Sequence, residues 1–337
     1  MVLAAGLGTR LRPLTYAISK PMVPVLDRPV MAHILDLLQA HGIGEVIANL
    51  HYFPEPIRAY FGDRIAYSDE PELLGTAGGV RACAQFFGGE SFLVISGDAL
   101  TDIDLSALIA SHRAHGGIAT LAVKRVSDTR EYGVVLHDRA GRITGFEEKP
   151  APEQARSDLG NCGIYIFEPE IFSYFPDAPF ADFAQDVFPA LLSADAPFFI
   201  HEVGEYWNDI GSLAELRRGT FDALSGALRL RLEAQEVAPG VLVGEGCSVP
   251  ASVRIEAPAL ICTGAEVGER ARLSGPVVVG SGAVIGADAA LRESILMPGV
   301  RVPDREILIG AIAADAAALA RPVDVWPIRP GDSRRLS

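Results

Sequence analysis

Apolar positions up to about Leu224 follow two alternating patterns. Continuous apolar runs typical of buried strands, such as Phe92–Ser96, alternate with amphipathic stretches typical of helices, such as Leu105–His115. This alternation, which begins near Pro29, predicts an α/β domain with a mainly parallel sheet. Further helices are predicted over 30–39, 55–61, 76–86, 182–192 and, after the capping residue Ser212, up to Leu224. Further strands are predicted over 45–50, 64–67, 118–123, 133–136, 143–147, 160–167 and 198–201.

Beyond residue 240 the apolar pattern changes its period. Apolar residues recur at every sixth position, at Val243, Val249, Ile255, Ile261, Val267, Leu273, Val279, Ile285 and Leu291. A period of six fits neither an α-helix nor an alternating strand. It resembles the hexapeptide repeat of a left-handed parallel β-helix, in which the apolar residue points inward and small residues occupy the corners. The register fails at Pro303, and 312–320 is predicted to be a helix that caps the open end of the coil.

This change of period defines the predicted domain organisation. A chain of 337 residues with 49% apolar content is long enough for one large and one smaller domain. We expect a catalytic domain over 1–225, a linker over 226–240, a β-helix over 241–311 and a C-terminal helix and tail over 312–337. The β-helix is expected to make the protein a homo-oligomer.

Charge and cysteine content narrow the classes of partner. A formal net charge of −14 argues against nucleic-acid and anionic-membrane partners. The cysteines form no C-x-x-C pair, which favours a reduced cytoplasmic protein over a disulfide scaffold or a zinc site; they are Cys83, Cys162, Cys247 and Cys262. The apolar start of the chain ends at the glycine of residue 6, too early for a signal peptide, and no spanning segment is predicted.

The densest candidate chemistry lies in the stretch 3–24. A short predicted strand over 2–5 runs into Gly6, Gly8 and Thr9. Glycines at such a position let successive backbone N–H groups turn toward one concavity that suits a phosphate. The spacing matches neither a Walker loop nor a dinucleotide fingerprint, since Leu11 stands where a third glycine would be. On spacing alone, an ordinary strand-to-helix turn remains the alternative.

Cations follow these glycines closely. Arg10 and Arg12 come directly after the loop, and Lys20 lies a few residues further on. Fixed cations beside a phosphate-binding loop can bind a polyphosphate and stabilise charge that develops on it. The loop is therefore predicted to take part in chemistry as well as in binding.

Two aspartates follow predicted strands. Asp98 comes after the strand Phe92–Ser96, and Asp209 ends the segment that follows the predicted edge strand. Ligands of open α/β sheets lie beyond the carboxyl ends of strands, so two such aspartates suggest a metal site. From spacing alone, ordinary turn residues are the alternative, and Glu148 with Lys149 could equally be part of a solvated loop.

Four local strings resemble the sugar-1-phosphate nucleotidylyltransferases, the family that makes NDP-sugars. They are Gly6-Leu-Gly-Thr-Arg-Leu-Arg-Pro-Leu-Thr15 with Lys20-Pro-Met-Val-Pro24, Leu74-Gly-Thr-Ala-Gly78, Phe146-Glu-Glu-Lys-Pro150, and Asn161-x-Gly-x-Tyr165. The resemblance implies a Rossmann-like nucleotidyltransferase domain with a mainly parallel mixed sheet, and hexapeptide coils follow that domain in one recurring layout of the family. It is strongest to the branch that uses GTP and mannose-1-phosphate. It also implies a few more residues before the first strand, so that the true start lies upstream.

The resemblance assigns roles to individual residues. Arg10 and Lys20 would hold the triphosphate and Lys149 the sugar phosphate, as the catalytic cations. The implied nucleotide-binding residues are Leu3, Ala5, Gly6, Gly8, Thr9, Gly75 and Thr76. The implied sugar-binding residues are Gly133, Glu148 and Asn161, and the implied ligands of Mg²⁺ are Asp98 and Asp209.

Other functions stay open at this point. Hexapeptide coils often carry acyltransferases that use a histidine base, but every histidine here lies at or before His201. A non-catalytic paralogue that senses NDP-sugars is disfavoured by the intact set of charged residues. The same chemistry with UTP or dTTP and glucose-1-phosphate, or with a heptose- or amino-sugar-1-phosphate, is an alternative to GTP and mannose-1-phosphate.

Overall fold

The chain packs into two compact units. The computed structural model describes residues 1–314. The first unit, here the sheet unit, comprises Met1–Leu7 and Ile34–Asp209. The second, here the coil unit, comprises Gly8–His33 and the described residues from Ile210 onward. This division by packing differs from the domain boundary expected at residue 225. No helix within residues 1–314 is long and apolar enough to cross a membrane.

The elements up to the last α-helix follow the predicted alternation. The strands in chain order are β1 (Val2–Leu3), β2 (Pro24–Val25), β3 (Arg28–Pro29), β4 (Ile47–Leu50), β5 (Ala66–Asp69), β6 (Phe92–Ser96), β7 (Leu100–Thr101), β8 (Ala119–Arg125), β9 (Gly133–His137), β10 (Ile143–Glu148), β11 (Leu159–Phe167), β12 (Phe198–Glu202) and β13 (Trp207–Asn208). The α-helices are α1 (Val30–Ala40), α2 (Pro54–Phe61), α3 (Gly75–Ala82), α4 (Leu105–His115), α5 (Phe188–Ser193) and α6 (Leu213–Leu224). Short 3-10 turns cover Thr9–Leu11, Leu14–Tyr16, Lys20–Met22, Gly62–Arg64, Ala84–Phe87, Thr129–Glu131 and Pro169–Tyr174.

Two predicted helices are shorter than their patterns. The stretch 76–86 is α-helical only to Ala82 and continues as the 3-10 turn Ala84–Phe87. The stretch 182–192 begins with a π-helical turn, Phe183–Val187, before α5 starts. In both cases the apolar periodicity is close to helical throughout, and hydrogen bonding at the ends decides which type of helix forms.

The sheet unit is built on one mixed sheet. Its order is β10-β9-β11-β6-β1-β4-β5, and β8 pairs with both β11 and β12. Strands β6, β1, β4 and β5 run parallel, whereas β11 is antiparallel to its neighbours β6, β8 and β9. The α/β prediction is therefore confirmed. Stacked aromatic rings fill part of the core, with the Phe87 and Phe92 centroids 4.0 Å apart and Phe172 5.6 Å from Phe92.

The coil unit contains three sheets whose strands pair across a long, regular spacing. Its remaining strands are β14 (Ala234–Ala238), β15 (Val241–Gly244), β16 (Arg254–Glu256), β17 (Ala259–Ile261), β18 (Glu266–Val267), β19 (Arg272–Ser274), β20 (Val277–Val279), β21 (Val284–Ile285), β22 (Ala290–Arg292), β23 (Ile295–Leu296), β24 (Arg301–Val302), β25 (Ile307–Ile309) and β26 (Ile312–Ala313). The sheet orders are β14-β15-β17-β20-β23-β26, β16-β19-β22-β25 and β18-β21-β24. Ile255 pairs with Leu273 and Leu273 with Leu291, a spacing of 18 residues. Strand β14 is antiparallel to β15, so the predicted linker 226–240 is partly a strand of the first sheet.

The hexapeptide positions are buried to different extents along the chain. They are buried from Ile261 to Leu291 but only half-buried at Val243, Val249 and Ile255. Ile255 lies on β16, which pairs with β19 alone, and this one-sided pairing explains its exposure. Val243 pairs on both sides, with β14 and β17, so its exposure has no such explanation.

The hexapeptide register slips earlier than expected. Arg292 pairs with Ile309 at a spacing of 17 residues, and the same spacing separates Val278 from Ile295. One residue is therefore missing from the corner after Arg292, and the prediction that the register fails at Pro303 is wrong. The helix predicted over 312–320 is wrong at its start, because Ile312–Ala313 is a strand parallel to β23. The rest of that prediction lies outside the described residues.

Candidate active site

The glycine loop is closed tightly within the coil unit. Gly8 has a φ of +60°, and a Cβ at this position would lie 2.9 Å from Cβ of Lys20 and 3.0 Å from Cγ2 of Thr15. The carbonyl of Gly8 accepts hydrogen bonds from Thr15 Oγ1 at 2.8 Å and from the Leu11 N–H at 3.0 Å. Only glycine fits both this backbone conformation and this close approach. The fold thus brings the predicted cation Lys20 against the loop.

The other residues of the loop are more open. Thr9 and Arg10 lie on the 3-10 turn that follows Gly8, and both residues are exposed. A Cβ added to Gly6 would have no neighbouring atom within 4 Å. The guanidinium of Arg12 lies 5.1 Å from the centre of the Tyr16 ring, a cation–π distance. Arg12 thus contacts a residue of the next 3-10 turn, Leu14–Tyr16.

Strands β1 and β6 end together at the carboxyl edge of the sheet unit. Leu3 pairs with Ser96, and the Gly97 N–H donates to the Leu3 carbonyl at 2.9 Å. A Cβ on Gly97 would lie 2.6 Å from that oxygen, so the close approach requires glycine. The half-buried Asp98 comes next in the chain, directly beside the end of β1. The predicted strand-end position of Asp98 is what the structure shows.

Asp209 lies at the same end of the β7–β13 strand pair as Asp98. Strands β7 and β13 are antiparallel, with Leu100 opposite Asn208. Asp98 comes two residues before Leu100, and Asp209 comes directly after Asn208. Both aspartates are half-buried. Within residues 1–314 no group of three or more His, Cys, Asp or Glu side chains is placed to share a metal ion. Two carboxylates fit Mg²⁺, which commonly takes one or two carboxylates and completes its shell with water and phosphate oxygens.

The backbone after Asp209 is strained. Ile210 has a φ of +43° and is fully buried. The left-handed region is strongly disfavoured for a β-branched residue, so the surrounding packing must enforce this conformation. The strain fixes the direction in which the chain leaves the second aspartate.

Gly75, the first residue of α3, lies where no side chain fits. Its φ is +76°, and a Cβ would lie 2.3 Å from the carbonyl oxygen of Ala181. That oxygen accepts hydrogen bonds from the N–H groups of Ala77 and Gly78, each at 3.0 Å, and the Ala181 N–H donates to the Leu74 carbonyl at 2.9 Å. The start of α3 is therefore held by a distant segment of the same unit, which satisfies two of the N–H groups that every helix leaves unpaired.

Thr76 belongs to the same attachment. Its Oγ1 donates to Asp182 Oδ2 at 2.8 Å and accepts from the Phe183 N–H at 3.0 Å. The hydroxyl is thus engaged with the protein, although the residue as a whole is exposed. Both residues are predicted to bind the nucleotide; the Thr76 side chain orders the start of α3 through these two hydrogen bonds.

The predicted sugar-binding residues lie on adjacent strands. Gly133 pairs with Glu148 across β9 and β10, and Cβ of a residue at 133 would lie 3.5 Å from Glu148 Oε2. On β11, Asn161 donates to the Tyr165 hydroxyl at 3.0 Å and accepts from the Gly163 N–H at 3.0 Å. Burial raises the pKa of Tyr165, so this hydroxyl stays neutral. Asn161 is therefore oriented by its own strand, next to the Gly133–Glu148 pair.

Lys149 combines exposure with backbone strain. It has a φ of +46°, and its N–H donates to the Tyr132 carbonyl at 3.2 Å. Its Nζ lies 3.7 Å from Glu148 Oε1, and both side chains are exposed. The neighbouring Glu147 is engaged by Arg156, whose hydrogen bonds lower the pKa of Glu147. Positive φ occurs at several other charged residues of the chain, so it does not by itself distinguish this turn from a solvated loop.

The sequence interpretation missed a buried polar pair in the sheet unit. Asn49 and Glu70 are each 3% exposed. Asn49 Oδ1 accepts from the Ala4 N–H at 2.9 Å, and Asn49 Nδ2 donates to Glu70 Oε1 at 2.8 Å. Glu70 Oε2 accepts from the Leu74 N–H at 3.1 Å. The available signal was Asn49 itself, a polar residue inside the otherwise apolar strand Ile47–Leu50.

Comparisons with known proteins identify the family of the chain. The nucleotidyl transferase family model matches residues 1–225. A UTP–glucose-1-phosphate uridylyltransferase of Synechocystis is 39% identical over 282 residues, covering 77% of this chain and 73% of the relative. A mannose-1-phosphate guanylyltransferase of Mycobacterium tuberculosis is 34% identical over 280 residues, covering 76% and 77%.

Solved structures show the same fold over about two thirds of the chain. HddC from Yersinia pseudotuberculosis has a TM-score of 0.58 at 25% identity, covering 65% of this chain and 96% of that one. A glucose-1-phosphate thymidylyltransferase of Bacillus anthracis, described as putative, has a TM-score of 0.61 at 23% identity, covering 68% and 96%. The match to the family model and the coverage of the chain by these relatives confirm the family predicted from the four local strings. The chain belongs to the nucleotidyl transferase family and is a sugar-1-phosphate nucleotidylyltransferase.

Proposed function

We propose that this nucleotidylyltransferase uses GTP and mannose-1-phosphate and forms GDP-mannose and pyrophosphate. The observation that carries the proposal is the Leu74-Gly-Thr-Ala-Gly78 loop, which resembles that of guanylyltransferases and lacks the glutamine of thymidylyltransferases. The relative named as a guanylyltransferase is consistent with it. A second candidate pair is UTP and glucose-1-phosphate, because the Synechocystis relative of that name has the higher identity.

The proposed reaction is an in-line displacement. An oxygen of the sugar-1-phosphate attacks the α-phosphorus of the NTP, the bond from that phosphorus to the bridging oxygen breaks, and pyrophosphate leaves. The attacking phosphate is already anionic near neutral pH, so neither a covalent intermediate nor a strong base is required. The main obstacle is repulsion between anions. Arg10 and Lys20 would offset charge that grows on the leaving pyrophosphate, and Lys149 would hold the sugar phosphate.

Asp98 and Asp209 would hold Mg²⁺, and their position at the same end of the β7–β13 strand pair supports this role. The bound cation would supply further positive charge to the phosphates. The two carboxylates leave most coordination positions for water and phosphate oxygens, as Mg²⁺ requires in phosphoryl-transfer sites.

The remaining site residues would bind the two substrates. Gly6, Gly8 and Thr9 would offer backbone N–H groups to the phosphates. The nucleoside would contact the other predicted residues of the nucleotide site, Leu3, Ala5, Gly75 and Thr76. Gly133, Glu148 and Asn161 would contact the sugar, and the pairing of the first two across β9 and β10 supports their common role.

For the C-terminal part, the proposal is a left-handed β-helix over 241–311 that follows a catalytic domain ending near 225. The parallel pairing at a spacing of 18 residues supports three hexapeptides per turn. The coil carries no histidine, which disfavours acyl transfer and leaves assembly of a homo-oligomer as its role.

The proposed specificity can be tested with a matrix of substrates. GTP, UTP, dTTP and ATP are each combined with mannose-1-phosphate and glucose-1-phosphate, and pyrophosphate release is measured. We expect the highest kcat/KM for GTP with mannose-1-phosphate, because a site built for one base leaves polar groups unpaired with another. A higher value for UTP or dTTP with glucose-1-phosphate would refute the guanylyl assignment and leave the reaction class intact. Lys149→Ala serves as the control for contaminating activity.

A further inference from the structure

We infer that the Asn49–Glu70 pair positions the nucleotide-binding segments of the sheet unit, an inference that rests on the proposed nucleotide site. The pair connects two backbone N–H groups that are far apart in the chain, those of Ala4 and Leu74. Ala4 precedes Ala5 and Gly6 at the end of β1, and Leu74 precedes the start of α3. Each end of the connection is thus one residue from the proposed nucleotide site.

The direction of every hydrogen bond in this connection is fixed. The Ala4 N–H requires an acceptor, so the oxygen of the Asn49 amide must face it, and the amide nitrogen must then donate to Glu70. A carboxylate only accepts, so it can receive both the Asn49 amide and the Leu74 N–H. Inverting the amide would place donor against donor at one end and acceptor against acceptor at the other. Burial makes such a mismatch costly, because no water can compensate for it.

Helix α3 packs directly on the pair. A Cβ on Gly79 would lie 2.6 Å from Glu70 Oε1 and 2.7 Å from Asn49 Nδ2. Glycine at this helical position therefore allows the helix to approach the two polar groups closely. The same helix carries Gly75 and Thr76 at its start. Contact with the Asn49–Glu70 pair therefore sets both the position of the helix and the direction of the Leu74 N–H. The polar pair and the glycine together define where the start of α3 lies relative to the end of β1.

A polarity swap tests this positioning role. Glu70→Gln alone can place a donor against the Asn49 amide, and Asn49→Asp alone places two carboxylates against each other. The double variant Asn49→Asp with Glu70→Gln restores a complete set of donors and acceptors. In it, the new carboxylate at position 49 accepts from the Ala4 N–H and from the new amide at position 70, and the oxygen of that amide accepts from the Leu74 N–H. The formal charge of the pair is unchanged in the double variant.

We expect each single variant to raise KM for the preferred NTP by at least about tenfold, the effect of roughly one buried hydrogen bond. KM for the sugar-1-phosphate should stay within about twofold, and the double variant should recover most of the loss. Gly79→Ala should also raise KM for the NTP, although it changes no polar atom of the pair. The affinity for a non-hydrolysable NTP analogue, measured by calorimetry, should follow the same order.

Glu168→Gln is the matched control. Glu168 is a carboxylate of the same unit that accepts from Ser91 at 2.9 and 2.8 Å and contacts His112 at 2.9 Å. The variant Glu168→Gln should change thermal stability without changing KM for the NTP. The inference is overturned if the pair variants lose stability but keep KM for the NTP, or if the double variant is no better than the worse single variant. If the unaltered protein binds the analogue but releases no pyrophosphate, the proposed function fails, and the affinities still decide the positioning role.

Discussion

Gly75→Ala should destabilise the sheet unit far more than a glycine replacement in open surroundings. Gly75 has a φ of +76°, and the new Cβ would meet the Ala181 carbonyl oxygen at 2.3 Å. A left-handed alanine costs roughly 1–2 kcal/mol. The contact would also displace a carbonyl that accepts two hydrogen bonds, from Ala77 and Gly78. At about 1 kcal/mol for each hydrogen bond, the total loss is roughly 3–4 kcal/mol.

Gly116→Ala is the matched control for this prediction. Gly116 ends α4 in the same unit with a φ of +62°, and nothing lies within 4 Å of its missing Cβ. It should therefore cost only the conformational term, roughly 1–2 kcal/mol. Urea unfolding followed by circular dichroism would measure both variants, and KM for the NTP should rise only in Gly75→Ala. Equal midpoints for the two variants would refute the reasoning, because the contact with Ala181 is the feature that separates them.

Three further predictions concern the metal, the coil and the response to pH. Asp98→Asn and Asp209→Asn should each lower turnover by roughly 100- to 1000-fold with an unchanged circular dichroism spectrum; full Mg²⁺-dependent activity in either would contradict the assignment. Ile261→Asp places an unpaired charge at a fully buried coil position and should disrupt assembly in light scattering; an unchanged particle mass would count against the coil's role. Although burial opposes the effect, hydrogen bonds from His112 and Ser91 lower the pKa of Glu168. The folded form therefore binds a proton at Glu168 less readily than the unfolded chain does. The stability that Glu168 contributes is complete above a pH of about 4.3 and is lost as the pH falls through the lowered pKa. Glu168→Gln should lack this pH-dependent contribution, and unfolding midpoints measured across this pH range would test it.

The elements predicted best are those with dense local signals. The strand Phe92–Ser96 and the helix Leu105–His115 occur as expected. The predicted cap Ser212 accepts a hydrogen bond from the Glu215 N–H at 3.2 Å and starts α6. In each case apolar periodicity and a terminating residue lie within one stretch of chain, so no distant contact is needed to decide the outcome.

Predictions failed where distant pairing decides the structure. Strand β14, Ala234–Ala238, consists largely of exposed residues and has no apolar alternation, and it forms because β15 offers an edge. The corner after Arg292 is one residue shorter than the equivalent corner one turn earlier, as its pairing with Ile309 shows. Leu291 still fits the six-residue period, so the period alone places the slip too late.

The polar connection through Asn49 and Glu70 was missed for a related reason. The two residues are 21 positions apart, and each taken alone is an ordinary polar residue near the end of a strand. Their role depends on burial and on the two backbone N–H groups they satisfy, and neither is visible in a local pattern. Sequence motifs therefore found the residues expected to touch substrate and missed those that orient the segments carrying them.

Backbone strain marks Ile210 more clearly than Lys149. Both residues have positive φ, and conformations of this kind cost roughly 1–3 kcal/mol each. Positive φ also occurs at charged residues to which no site role is assigned, such as Arg270, Asp288 and Arg305. The φ of Lys149 therefore does not distinguish a functional turn from a solvated one. Ile210 differs, because it is β-branched and fully buried, and such a residue is a genuine outlier at positive φ. The chain is thus strained directly after Asp209, which favours a functional interpretation of that position over an ordinary turn.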